Sequence, residues 1–121
     1  MKALETLFGT YALDLNKALD RATHRNSLLA RNLANVNTVG YKRTDSKLDI
    51  KLTEDGSFAG MLDDQGEEDV TDQGSLRLDG NNVDLERESF AMAETELRYQ
   101  MLSDLANKHF SGLKSVIREG R

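Results

Sequence analysis

Apolar residues recur along the first 36 positions of the chain at steps of mostly three and four. This spacing places them on one stripe and is close to a heptad seam, so it predicts one long amphipathic helix. Arg25 and Asn32 place polar groups on the stripe. About 33 residues at 1.5 Å each span on the order of 50 Å, so the helix needs a partner along its length. The stripe consists of Leu4, Phe8, Tyr11, Leu15, Ala18, Ala22, Leu29 and Val36.

Two local features bear on the limits of this helix. Gly9 costs about 1 kcal/mol relative to Ala inside a helix, so the first turns are expected to fray in the free molecule. Near its other end, Asn35 and Asn37 favour a turn, and Gly40 can adopt a positive φ. The helix is therefore predicted to end between residues 35 and 37.

A second long helix is predicted from Asp84 onwards. Asp84 suits the N-cap position, and Glu86 and Glu88 suit the positive end of the helix dipole. Gly120 marks the predicted stop. Two apolar rows make a wide face that can contact more than one partner helix. One row is Phe90, Ala93, Leu97 and Met101, and the other is Tyr99, Leu102, Ala106, Phe110, Leu113 and Ile117.

The segment between the helices has a different character. Residues 44–58 alternate weakly between apolar and polar, which predicts a short strand or extended segment. Residues 55–82 are rich in glycine and acidic residues, which predicts a mobile or extended, partly disordered acidic arm with one short strand near Ser75 to Leu78. The predicted fold is mainly α, with the two helices packed as a coiled-coil-like pair. Segments 1–43, 44–78 and 79–121 form one structural unit in this prediction.

Composition excludes several classes of function. The 121 residues contain no Cys, which excludes disulfides, thiolate metal sites and cysteine nucleophiles. They contain no Trp and only 6% aromatic residues, which argues against a base-stacking platform for single-stranded nucleic acid. The net charge of −5 argues against duplex nucleic acid as the main partner. Charge is uneven, at +4 over residues 1–43 and −8 over residues 44–80. Such a distribution is typical of a solvated acidic loop. Alternatively, the basic end of one molecule attracts the acidic middle of another.

No candidate chemistry or targeting signal stands out. His24 and His109 are far apart in sequence, and no zinc, phosphate-loop or serine-nucleophile motif is present. Residues 79–90 do not match a calcium loop, and the acidic run at 63–72 is interpreted as a solvated arm rather than a weak cation site. Glu5 and Asp14 interrupt any signal-peptide core, and no stretch is apolar enough to span a membrane. We therefore predict no enzyme activity, cofactor or metal, and no cleaved signal.

The distinctive sequence lies in two polar motifs that adjoin the helix ends. The first runs from residue 34 to 42 (ANVNTVGYK) and the second from residue 79 to 88 (DGNNVDLERE). Because both flank the same pair of helices, we expect them to lie close together. The residues singled out in and beside them are Asn32, Ala34, Asn35, Thr38, Gly40, Tyr41, Lys42, Asp79, Gly80, Asn81, Asn82, Val83, Asp84, Leu85 and Glu88.

These motifs resemble the signatures of the bacterial flagellar axial proteins, the family of rod, hook and hook-associated subunits. The short chain and the second motif are most similar to the proximal-rod members of the basal body. One departure is Val39, which stands where the family usually has Pro between Thr and Gly. Since proline presets a turn, the turn here is expected to be less rigid before assembly.

The resemblance implies a structural subunit that the flagellar type III apparatus exports and that assembles helically into the periplasmic rod to transmit torque. Its implied partners are copies of itself, other rod and basal-body proteins and the export apparatus, with no nucleic acid and no small-molecule substrate. In this interpretation Asn35, Thr38 and Gly40 shape the turn and Tyr41 anchors it. Residues predicted to pack within or between subunits are Leu4, Phe8, Tyr11, Leu15, Ala22, Leu29, Leu97, Tyr99, Leu102, Ala106, Phe110, Leu113 and Ile117.

Two alternatives stay open from the sequence. One is another short rod subunit of the same machine. The other is a helical adaptor or export chaperone that does not polymerise and is well folded in solution.

Overall fold

The computed structural model describes residues 2–46, 69–74 and 77–120. It contains helix α1 at Lys2–Ala34, strand β1 at Thr44–Ser46, strand β2 at Asp69–Thr71 and helix α2 at Leu85–Glu119. The two long helices pack against each other. The two strands, which lie between the helices in the sequence, form a small two-stranded sheet. The predicted mainly α fold with a weakly β middle is confirmed.

The two helices run antiparallel. Leu15 and Ala18 of α1 pack with Leu102 at the middle of α2, and Leu105 and Ala106 in its second half pack against the same cluster. At the other end Asn32, near the end of α1, donates to Glu88 in the first turn of α2. The molecule is therefore a helical hairpin whose closed end carries both polar motifs. In the part of the chain that the structure describes, neither helix has an apolar stretch long enough to cross a bilayer.

The interface between the helices is apolar along most of its length. Full burial of one such aliphatic side chain contributes roughly 1.5–3 kcal/mol. Tyr11, Leu105 and Ala106 are partly buried against the core. The buried apolar side chains of the two helices are Leu15, Ala18, Ala22, Leu28 and Leu29 of α1 and Ala91 and Leu102 of α2.

Other residues of the predicted packing set are exposed in the single chain. Leu97, Tyr99, Phe110 and Ile117 leave 69%, 44%, 51% and 69% of their surface uncovered. Leu113 is half-buried. The side chains of Leu4 and Phe8 lie outside the described residues. Packing of these residues between subunits stays a prediction.

Helix α1 is interrupted at Gly9, the predicted weak point. Gly9 has φ 70° and ψ 156°, which is outside the helical region, so the helix is kinked there. At its other end α1 stops at Ala34, one residue before the predicted range. Helix α2 begins after Asp84, whose side chain accepts from the backbone N–H groups of Glu86 and Arg87 as a predicted N-cap should.

The sheet is short and differs in part from its prediction. β1 pairs antiparallel with β2, with Asp45 opposite Val70. β1 falls within the predicted 44–58 segment, whose residues 47–58 lie outside the described residues, as do positions 63–68 of the acidic run. The predicted strand near Ser75 to Leu78 is wrong where the structure describes it. Arg77 and Leu78 lie in a bend and a turn, because the N–H of Gly80 donates to the carbonyl of Arg77 and folds the backbone back.

Candidate functional site at the junction of the two polar motifs

The end of α1 is closed by a run of local hydrogen bonds. The Asn35 side chain donates from Nδ2 to the Arg31 carbonyl at 2.8 Å, and its Oδ1 accepts from the Thr38 hydroxyl at 3.0 Å. The backbone N–H of Thr38 donates to the Asn35 carbonyl, and that of Tyr41 donates to the Thr38 carbonyl. Gly40 has φ +73°, which fits its predicted role in the turn. The turn therefore closes with Val39 in place of proline.

Asn81 of the second motif caps the turn that ends α1. Its Nδ2 lies 2.9, 3.0 and 2.7 Å from the carbonyl oxygens of Asn35, Val36 and Thr38. Its Oδ1 accepts from the backbone N–H of Val83 at 2.8 Å. These carbonyls belong to the turn that follows Ala34, the last residue of α1, and a fully buried amide from the other motif donates to them.

The two motifs also contact each other through their glycines. The Gly40 N–H donates to the Asp79 carbonyl at 2.9 Å, and Lys42 Nζ donates to the Gly80 carbonyl at 2.6 Å. Gly80 has φ +80°, and a Cβ built on it would lie 3.6 Å from the Gly40 Cα. The close approach of the two motifs is as expected from their positions in the chain.

Asn82 ties the sheet to the junction. Its Oδ1 accepts from the Arg43 backbone N–H at 2.7 Å, and its Nδ2 donates to the Asp72 carbonyl at 2.7 Å. The backbone N–H of Asp72 in turn donates to the Arg43 carbonyl at 3.0 Å. One asparagine thus holds the segments before β1 and after β2 beside the start of α2.

A buried polar cluster lies under this junction. Asn32 and Glu88 are fully buried, and Arg43 is 5% exposed. Asn32 Oδ1 accepts from the Tyr41 hydroxyl and the Thr44 N–H, and its Nδ2 donates to the Thr44 carbonyl and Glu88 Oε2. The other Glu88 oxygen accepts from Arg43 Nε. The hydrogen-bonding capacity of the Asn32 amide is therefore used within the chain.

Asp45 extends the cluster toward the surface. It accepts from Arg25 Nε at 3.0 Å and from Arg43 Nη2 at 3.3 Å. Burial alone would raise the pKa of the Asp45 carboxyl, but the hydrogen bonds and charges of the two arginines outweigh it and hold that pKa below its usual value. Burial likewise opposes the charged form of Arg43, and contacts with Glu88 and Asp45 reverse this effect and raise the Arg43 pKa.

The chemistry of the junction is structural. Its buried groups are committed to one another, and the pair of arginines with Glu88 and Asp45 balances charge without an external ion. In the described ranges, no group of three or more His, Asp or Glu side chains is arranged to hold a metal. The arrangement fixes the angle and register between α1, the sheet and α2.

Comparison with known proteins identifies the family. No protein-family model matches the chain. The flagellar basal body rod protein FlgB of Cereibacter sphaeroides (strain ATCC 17029) is 37% identical, over 78% of this chain and 83% of that protein. The chain belongs to the FlgB family. FlgB of Bacillus subtilis is 27% identical over 96% of this chain and 99% of its own length, and FlgB of Salmonella typhimurium is 29% identical over 86% and 90%. Similarity to FlgB therefore extends beyond the two motifs.

Most motif residues singled out in the sequence of this FlgB-family chain lie at the junction. Val83 is buried and Asp84 caps α2. Ala34 and Leu85 are exposed and take no part in the hydrogen bonds described above. What these residues do in an assembled FlgB rod stays a prediction.

Sequence reasoning did not single out three members of the cluster, Arg25, Arg43 and Asp45, as site residues. Arg43 and Asp45 were not candidates, because each is one charged residue among many near a segment boundary. A signal existed for Arg25 and Asn32, which interrupt the apolar stripe seven residues apart. Polar groups on a buried stripe need partners, and here Glu88 and Asp45 provide them.

Substituting Asp45 should change how this chain responds to acid. Because the pKa of Asp45 is lower in the folded chain than the ordinary aspartate value of 3.8, its contribution to the free energy of unfolding is complete well above pH 3.8 and is lost as the pH falls through the folded-state pKa. Asp45→Asn should therefore lower the free energy of unfolding at pH 7, with a deficit that shrinks on acidification below pH 3.8. Urea denaturation from pH 7 to pH 3 measures this. The control is Asp20→Asn, an exposed position on α1, and a pH-independent deficit for Asp45→Asn would contradict the assignment.

Proposed function

We propose that this chain is a structural subunit of the proximal rod of the bacterial flagellar basal body, and not an enzyme. The observation that carries the proposal is its 37% identity to a curated rod protein over most of both chains. On this proposal it is made in the cytoplasm and exported by the flagellar type III apparatus without a cleaved signal. It then assembles helically in the periplasm and transmits torque. Its partners are copies of itself, other rod and basal-body proteins and the export apparatus.

The hairpin has physical properties that suit a load-bearing subunit. The junction couples α1, the sheet and α2 through buried polar contacts with defined geometry, so the closed end resists shear between the helices. The chain has no cysteine, so no disulfide has to be reduced before export. A contact between unlike surfaces of identical subunits repeats into a helical polymer unless its rotation closes a ring.

Exposed apolar surface favours an assembling subunit over a soluble adaptor. Phe90, Leu97, Val116 and Ile117 of α2 each leave at least 68% of their surface uncovered. Contiguous exposed apolar patches mark interaction surfaces, and Phe90 and Leu97, seven residues apart, lie on the same side of α2. We propose that neighbouring subunits cover the exposed members of the packing set. A non-polymerising adaptor and another short rod subunit remain the alternatives.

An in-frame deletion in the source bacterium tests the proposal. Electron microscopy should show basal bodies with a membrane ring and no rod, and the cells should be non-motile. The wild-type gene supplied in trans should restore both, and a deletion carrying the empty plasmid serves as the control. Normal rods and filaments in the deletion strain would contradict the rod assignment and favour the adaptor. Assembly that stops after part of the rod has formed would favour another rod subunit.

A further inference from the structure

Helix α2 carries an apolar ridge on the side that faces away from α1. The ridge is formed by Phe90, Leu97 and Met101, which are 73%, 69% and 52% exposed. At about 100° per residue these three side chains lie within roughly 20° of one direction, and about 130° from the row that packs on α1. The ridge is roughly 17 Å long. Such spacing is that of the anchor residues of a helix that lies in a groove.

An apolar groove lies toward the open end of the hairpin. It encloses about 360 Å³ between the helices and is lined by Leu13 and Leu19 of α1 and by Ala106 and Phe110 of α2, among others. Leu13 and Phe110 remain 47% and 51% exposed at its edges. On the helical wheel of α2, Phe110 lies on a different side from the ridge, so one molecule can present both surfaces at once.

The charges of α2 are divided in the same way as the two surfaces. Residues 85–104, which carry the ridge, have five acidic and two basic side chains. Residues 105–119, of which Ala106 and Phe110 line the groove, have three basic and one acidic side chain. The α1 wall of the groove, residues 12–19, is neutral, with Asp14 and Lys17. Asp104 and Lys114 are exposed beside the ridge and the groove, respectively. A ridge placed in the groove of another molecule therefore brings an acidic half-helix against a basic one.

We infer that the ridge of one copy of this chain docks into the groove of a second copy. This inference rests on the proposed function and specifies the subunit contact that it requires. The ridge and the α2 side of the groove are centred about twelve residues apart, so two parallel neighbours are offset by roughly 18 Å along the hairpin. Because ridge and groove are different surfaces, the contact is heterologous and leaves one of each free for the next copy.

Engineered cysteines test the contact directly, since the natural chain has none. Leu97→Cys on the ridge and Leu13→Cys in the groove are made in separate chains, mixed and oxidised. We expect a disulfide-linked heterodimer as the main product, because such a bond requires Cα atoms within about 7 Å. The control mixes Leu97→Cys with Leu78→Cys, whose position is fully exposed on the turn before the second motif. Equal linking in both mixtures would overturn the inference.

A second pair of variants tests whether the contact is heterologous. Leu97→Asp removes the ridge and Leu13→Asp the groove, and each should weaken self-association by roughly tenfold or more, as for a central interface residue. Their equimolar mixture should recover one contact and stop at a heterodimer in sedimentation velocity. Leu78→Asp should associate like the wild type, and matching unfolding curves show that the variants are folded.

The outcomes separate this inference from the proposed function. A wild-type chain that stays monomeric at all concentrations, or a Leu97→Asp variant that associates normally, overturns the ridge-and-groove contact. The rod assignment is tested separately by the deletion phenotype, which does not require that the ridge and groove meet. A rodless deletion strain together with a failed cross-link would leave the rod assignment standing and reject this contact.

Discussion

Glu88→Ala should destabilise the hairpin by about 3–5 kcal/mol, because it breaks a buried ion pair by removing one partner. The Glu88 carboxylate is fully buried and accepts from both Arg43 and Asn32. Its loss leaves the buried Arg43 guanidinium with Asp45 as its acidic contact among the described residues. It also leaves one donor of the Asn32 amide without an acceptor. A small domain has only about 5–15 kcal/mol of stability, so the variant should be largely unfolded at a modest urea concentration.

The control is Glu96→Ala, the same substitution at an exposed position of α2. It should change the free energy of unfolding by no more than about 0.5 kcal/mol. Urea denaturation followed by circular dichroism measures both variants, with the midpoint compared at constant slope. Equal effects at the two positions would show that Glu88 is not part of a buried cluster.

A double-mutant cycle separates the pair from its surroundings. Arg43→Met and Glu88→Leu should each be strongly destabilising alone, because each leaves the opposite charge buried. The double variant should be more stable than the sum of the two losses predicts, since apolar residues of similar size can replace a buried pair at little cost. Strict additivity would mean that the two charges do not depend on each other.

The periodicity of the sequence located the helices well, because a stripe repeated over eight or nine turns is a strong signal. Capping chemistry placed the start of α2 at Asp84, and turn chemistry placed the end of α1 within one residue. The meeting of the motifs followed from topology, since an antiparallel pair brings the end of α1 beside the start of α2. These features depend on local sequence or on chain connectivity.

The sequence of α2 did not show which of its apolar rows faces α1. Thr95 is buried and Leu97 is exposed, which is the reverse of their hydropathy. Thr95 is accommodated because its hydroxyl donates to the Ala91 carbonyl within the same helix, at 2.7 Å. Leu97 is exposed because the described part of the chain offers α2 one partner helix, α1, whereas the α2 sequence provides apolar surface for more than one. Long-range contacts such as Arg43 with Glu88 depend on where the chain returns, and no local pattern encodes that.

Gly40→Ala should destabilise the chain by about 1–2 kcal/mol, whereas Gly112→Ala should stabilise it by about 0.5–1 kcal/mol. The two glycines are alike in that an added Cβ would meet no atom within 4 Å. They differ in conformation. Gly40 has φ +73°, where an L side chain is strained, and Gly112 lies within α2, where alanine lowers the conformational freedom of the unfolded chain.

Opposite signs for the same substitution would show that backbone conformation, not packing, sets the requirement for glycine in the first motif. Gly40→Val should be worse than Gly40→Ala, because β-branched residues are least tolerated at positive φ. The Gly40 N–H donates a hydrogen bond to the Asp79 carbonyl, so strain at Gly40 is transmitted to the second motif and to the cap that Asn81 provides. In complemented deletion cells, Gly40→Val should impair motility and Gly112→Ala should not. Normal motility and unchanged unfolding of Gly40→Val would mean that the turn can form without a left-handed residue, and that this glycine is not needed to hold the motifs together.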